Sequence, residues 1–98
     1  MTITKTGEGA VITIALEGRL DTTTAPDLEK EVQESLGGVT NLTFDLSALE
    51  YISSAGLRVL LSAQKIMNKQ GEMKIVGANE AIMEVFEVTG FIDILNIA

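Results

Sequence analysis

Asp45-Leu46-Ser47-Ala48-Leu49-Glu50-Tyr51-Ile52-Ser53-Ser54-Ala55-Gly56-Leu57-Arg58-Val59-Leu60-Leu61 reads as the end of a buried strand, a short loop, and two serines that open an apolar helix. Serine hydroxyls at a helix start have two uses. They accept hydrogen bonds from the unpaired amides of the first turn. A phosphorylated serine there sets a dianion where the helix dipole and the free N–H groups favour it. The first use is structural. The second makes the chain a switch.

The helix that follows is read by angle, at about 100° per residue. Val59, Leu60, Ala63, Ile66 and Met67 cluster as the core face, and Ser54, Arg58, Ser62, Lys65 and Lys69 form a solvated stripe opposite. Leu57 and Leu61 fall at the border. They either pack against a neighbouring helix or form an exposed docking patch beside Ser54. Arg58 follows Ser54 by one turn on the same face. Helical side chains lean toward the N-terminus, so its guanidinium is predicted to reach a phosphate on Ser54. Ser53 is the expected N-cap, directly before Ser54.

Working outward, Thr2 to Thr6 alternates, Gly7-Glu8-Gly9 signals a turn, and Ala10 to Glu17 reads as a second strand, predicting a hairpin. Ile12, Ile14 and Leu16 share one face. Thr22-Thr23-Thr24-Ala25-Pro26 is a helix start with Thr24 at the N-cap. Ala25, Leu28, Val32 and Leu36 form its apolar stripe, and Gly37-Gly38 ends it. Val39 to Leu46 is a third strand, Ser54 to Gln70 the second helix with Gly71 as its stop, and Met73 to Val76 a fourth strand. Asn79 caps a third helix carrying Ile82, Val85 and Phe86, ended by Gly90. Phe91 to Ile97 is read as a short edge strand. Strands joined through helices run parallel with right-handed crossovers. The expected class is α/β: a mixed β-sheet with an N-terminal hairpin followed by β-α units, helices mainly on one face.

Composition sets bounds. The chain has 98 residues, 46% of them apolar, which suits one domain, residues 1–98, with a real core. A formal charge of −7 and no basic cluster argue against nucleic acid. Cysteine and histidine are absent, which removes thiolate and histidine catalysis and their metal sites. No Gly-rich phosphate cradle opens a helix, so no cofactor is expected. Asp21 and Asp45 have no activated nucleophile beside them, and no enzyme is expected. No apolar run approaches the roughly 20 residues of a membrane span. Met1 leads into alternation rather than a basic and then apolar segment, which predicts no secretion signal and a cytoplasmic protein.

Glu17-Gly18-Arg19-Leu20-Asp21 before a helix, followed by the Asp45-to-Leu57 motif, resembles the STAS domain family, and more narrowly its stand-alone bacterial anti-sigma factor antagonists. The resemblance covers essentially the whole chain. The family motif reads Asp-Ser-Ser/Thr-Gly-Leu, and its first serine is phosphorylated by a partner kinase. Alignment on Gly56-Leu57 puts Ser54 on that serine, Ser53 at the aspartate and Ala55 at the Ser/Thr. The resemblance implies a partner switch. The unmodified antagonist binds an anti-sigma factor with serine-kinase activity, so that a sigma factor is released and transcription follows. Phosphorylation of Ser54 ends the capture, and a phosphatase resets it. The free protein is expected to be a monomer. The implied partner surface comprises Asp21, Thr22, Thr23, Ser53, Ser54, Gly56, Leu57, Arg58 and Leu61. Strand-to-helix loops of parallel strands share one end of the sheet, which brings Asp21 toward Ser54. Asp21, Thr22 and Thr23 are otherwise turn residues. Ser53 in place of aspartate leaves a second reading open: a STAS interaction subunit without a phosphoswitch, serving as scaffold in a transport or signalling assembly.

Overall fold

Ile12, Ile14 and Leu16 point to one side of their strand, and the same inward alternation recurs in its neighbour as Leu42, Phe44 and Leu46; all six are buried. The computed structural model describes residues 1–98. Its elements are β1 (Thr2–Glu8), β2 (Val11–Leu20), α1 (Ala25–Ser35), β3 (Asn41–Ile52), α2 (Ser54–Asn68), β4 (Glu72–Val76) and α3 (Glu80–Thr89), then a 3₁₀ turn at Phe91–Asp93. The sheet order is β1-β2-β3-β4. β1 and β2 form the antiparallel hairpin, whereas β2–β3 and β3–β4 are parallel. The expected mixed sheet with helices on one face is what the chain forms. Leu28, Val32, Leu60, Ala63, Met67, Ile82 and Phe86 meet the apolar sheet face in one core cluster. Thr13, Ala15, Thr43 and Asp45 on the opposite face stay partly open, and Lys74 is exposed. No helix is long and apolar enough to cross a membrane.

Four local expectations need correction. β3 does not end at Leu46 but runs to Ile52. Its register against β2 slips between Ala15/Glu17 and again between Gly18/Arg19, each time by one extra β3 residue. Those bulges turn Leu46, Leu49 and Ile52 all inward at a spacing of three, a period that does not look like a strand. Asp45 clamps the first bulge, accepting from Ser47 N–H at 3.0 Å and Ser47 Oγ–H at 2.6 Å.

Thr24 occupies the N-cap of α1 but makes no side-chain cap bond. Its Oγ donates to the Arg19 carbonyl at 2.8 Å and accepts from Asp21 N–H at 2.8 Å. α2 ends at Asn68, two residues before the expected Gln70. Gly71 closes the end of α2 with its N–H on the Met67 carbonyl at 2.7 Å, and it has a second role: a Cβ there would lie 2.0 Å from the Thr40 carbonyl oxygen, so only glycine admits this backbone crossing. Phe91 to Ile97 is not an edge strand. After the 3₁₀ turn only Ile97 bridges to Ile75, held by Ile75 N–H to the Asn96 carbonyl and Ala98 N–H to the Ile75 carbonyl.

Candidate functional site

The site begins where the ladder between β2 and β3 stops. Leu20 and Ile52 are its last partners, and Ser53 N–H donates to the Leu20 carbonyl at 2.9 Å. Ser53 is extended, with φ −100° and ψ 176°, and its Oγ accepts from Gly56 N–H at 3.4 Å. That is a long bond, at the weak end for a cap. Ser54 is therefore released from capping. It is the first residue of α2, and it is exposed. Gly56 is buried against the strand ends: a Cβ would meet Leu20 Cγ at 2.6 Å and Ile52 Cγ1 at 2.9 Å. The absence of a side chain here seats the first turn of α2 on the sheet, and this fixes where Ser54 emerges.

Arg58 is exposed, and its Nε donates to the Ser54 carbonyl at 3.5 Å. The guanidinium thus leans back along the helix toward the serine, as helical side-chain direction requires. No carboxylate competes for it, since the one ion pair in the chain is the loose Arg19–Asp21 contact at 3.9 Å.

Asp21 lies at the same end of the sheet, one residue past Leu20. Its carboxylate is turned into its own loop. Oδ1 accepts from Thr23 Oγ–H at 2.7 Å, Thr23 N–H at 3.0 Å and Thr24 N–H at 3.2 Å. The Thr23 hydroxyl foremost, opposed by loss of solvation and then seconded by the amides of Thr24 and Thr23, holds the carboxyl below its ordinary 3.8. This carboxylate organises the β2–α1 turn through hydrogen bonds within its own loop. Thr22 and Thr23 stay exposed beside it. Asp45 is likewise held low by the Ser47 hydroxyl and then the Ser47 amide, and it belongs to the β3 bulge.

The border residues of α2 separate. Leu57 is 4% exposed and part of the core, so it packs inward and forms no exposed patch. Gly56 is buried too, and Leu61 is half-buried. Of the nine residues expected on the partner surface, Thr22, Thr23, Ser54 and Arg58 present themselves most openly. Ser53, Asp21 and Leu61 are partly covered, and Gly56 and Leu57 support from beneath.

A groove of about 400 Å³ adjoins Ser54, with Thr22 of the preceding turn and Ala25, Pro26 and Glu29 of α1 on one wall and Ala55, Arg58, Val59 and Ser62 of α2 on the other. Arg19 lies over the Tyr51 ring, 4.3 Å from its centroid, a cation–π contact between two exposed side chains. Sequence reasoning singled out neither the groove nor this pair. Arg19 and Tyr51 become neighbours only through the bulged register that pairs them.

The STAS domain family model matches residues 2–98. The anti-sigma-B factor antagonist of Listeria monocytogenes is 34% identical over 89 residues, covering 88% of this chain and 77% of its own. The crystal structure of an anti-sigma factor antagonist from Mycobacterium paratuberculosis superposes with a TM-score of 0.89 at 25% identity, over 98% of this chain and 83% of that one. The phosphorylated form of the Bacillus cell fate determinant SpoIIAA shares the fold, with a TM-score of 0.76 at 17% identity over 99% of this chain and 91% of that one. The fold as a whole thus recurs in these structures, and the chain belongs to the STAS domain family.

Proposed function

We propose that this protein is an anti-sigma factor antagonist whose binding is switched by phosphorylation of Ser54. The observation that carries the reading is the division of labour at the start of α2. Ser53 takes the cap, and Ser54 stands exposed as the first helical residue. The 34% identity to the Listeria monocytogenes protein of that name supports it.

The unmodified hydroxyl is a small neutral contact. A partner anti-sigma factor with serine-kinase activity docks over Ser54 and the adjoining α1–α2 groove. It transfers the γ-phosphoryl group of ATP: the bond from phosphorus to the β–γ bridging oxygen breaks, a bond to Ser54 Oγ forms, and the hydroxyl proton leaves. The product carries about −1.5 to −2 charges and three acceptor oxygens. The helix N-terminus tolerates that charge by roughly 0.3–1 kcal/mol, so the fold survives. A surface shaped for a hydroxyl then meets bulk and buried charge. Each 1.4 kcal/mol lost is about tenfold in affinity. A phosphatase restores the hydroxyl. Binding is this protein's task; the transfer chemistry belongs to the kinase. It works in the cytoplasm, as a monomer when free.

A second reading rests on one residue. Ser53 stands where the family motif has aspartate, which favours an interaction subunit that is never phosphorylated. Intact-mass analysis of protein recovered from its native host, with pull-downs using wild-type and Ser54→Asp baits, separates the two. A phosphate mapped to Ser54 and loss of the partner from the Ser54→Asp bait establish the switch. Unmodified protein under every growth condition, with Ser54→Asp binding unaltered, establishes the scaffold.

A further inference from the structure

The third helix carries a surface that nothing in the chain covers. Ile82 and Phe86 anchor α3 to the core. At about 100° per residue the outward direction then falls between Glu84 and Val88. Val88 is 80% exposed, the most open large apolar side chain in the molecule. Ala81, Val85 and Val88 recur at the spacing that makes one stripe along a helix, with Ala81 and Val88 exposed and Val85 half-buried against the core. A shallow groove of about 260 Å³ follows them, with Glu84 and Thr89 completing its lining. Glu80, Glu84 and Glu87 run beside that stripe, and α3 has no lysine or arginine. These like charges sit one turn apart and repel. None is compensated, because the chain's one ion pair lies at Arg19–Asp21.

We propose that this face of α3 docks a basic amphipathic helix of a partner protein. The apolar stripe offers contact area for leucine-sized side chains, and the glutamate row selects lysine or arginine on the flank of the incoming helix. A second copy of this chain is the wrong occupant, since each copy carries a formal charge of −7. The surface is separate from the Ser54 switch. α3 and α2 start at the same end of the sheet, but Val88 lies two turns further along, about 12 Å at ~1.5 Å per residue. Occupancy here leaves the Ser54 surface free, which would let the protein hold one partner while switching another.

The test uses the full-length chain, labelled with nitrogen-15, and a synthetic helical peptide of about four turns with leucines on one face and lysines flanking them. Amide shifts are expected to move at Ala81, Glu84, Val85 and Val88. Val88→Ser and Glu84→Lys should each weaken binding about tenfold. Both positions are exposed, so both variants fold. A peptide with glutamate in place of lysine should not bind. Ser54→Asp should leave the affinity unchanged, even if Ser54 proves never to be phosphorylated. Shifts confined to the α1–α2 groove or the open sheet face would overturn the proposal. So would affinity indifferent to Val88→Ser, or affinity altered by Ser54→Asp.

Discussion

Arg58 Nε reaches back one helical turn to the carbonyl oxygen of Ser54, at 3.5 Å. The contact is too long to add much stability. It does place a cation that forms no ion pair one turn from the residue that would carry a phosphate. An exposed charge pair contributes about 0.2–1 kcal/mol, and one pKa unit is ~1.36 kcal/mol. Arg58→Gln is therefore expected to raise the second pKa of phosphorylated Ser54 by about 0.2–0.7 unit. Phosphorus NMR titration of both proteins measures it, and equal values would dismiss the role of Arg58.

Gly56 tests how tightly the site is seated. A glycine-to-alanine change inside a helix ordinarily stabilises by up to about 1 kcal/mol. Here the new Cβ would stand 2.6 Å from Leu20 Cγ, which is itself fully buried. Overpacking of this kind costs about 1–3 kcal/mol, and the clash decides the sign. Gly56→Ala should lower the thermal midpoint by several degrees, at roughly 4–8 °C per kcal/mol for a domain of this size. A midpoint that rises would mean that α2 shifts freely and does not fix Ser54.

The Asp21 turn carries a pH dependence. Its folded pKa lies below 3.8 because the Thr23 hydroxyl and the Thr23 and Thr24 amides bind the charged form. A depressed carboxylate contributes its stability fully above the unfolded value and loses it as pH falls through the folded one. The loss thus falls below pH 3.8 and leaves neutral pH untouched. Thr23→Val should move the Asp21 pKa upward in a carbon-13 NMR titration and shift acid unfolding to higher pH. An unmoved Asp21 titration would show that the backbone amides alone hold the turn.

The parts of this fold that follow a regular period were readable from residues alone. Ile12-Ile14-Leu16 and Leu42-Phe44-Leu46 alternate, and the stripes of α1, α2 and α3 repeat at helical spacing. What escaped reading depends on contacts distant in sequence. Leu46, Leu49 and Ile52 look unlike a strand because two bulges, visible only in the pairing with β2, turn each of them inward. Leu57 stood at the edge of its helical wheel, and only the neighbours it packs against made it core. Gly71 read as a helix stop, and nothing local shows the Thr40 carbonyl that also crosses it. Ser54 was legible for the opposite reason: capping chemistry is local, and Ser53-Ser54-Ala55-Gly56 contains the whole of it.

Ser53 connects the cap to the switch. Its Oγ accepts from Gly56 N–H at a weak 3.4 Å. Loss of an N-cap costs about 0.5–2 kcal/mol, so Ser53→Ala should fall at the lower end. Ser53→Asp keeps an acceptor and adds a negative charge that the helix dipole favours by roughly 0.3–1 kcal/mol. The unmodified variant should gain stability in urea denaturation. Once Ser54 is phosphorylated, the same aspartate faces a dianion on the adjacent residue, and the two share one helix dipole. The gain should shrink or reverse in the phosphorylated protein, and the phosphoserine pKa should rise. Serine at residue 53 thus removes a charge that would oppose the modified state. An equal stabilisation by Ser53→Asp in both forms would show that residues 53 and 54 are electrostatically independent.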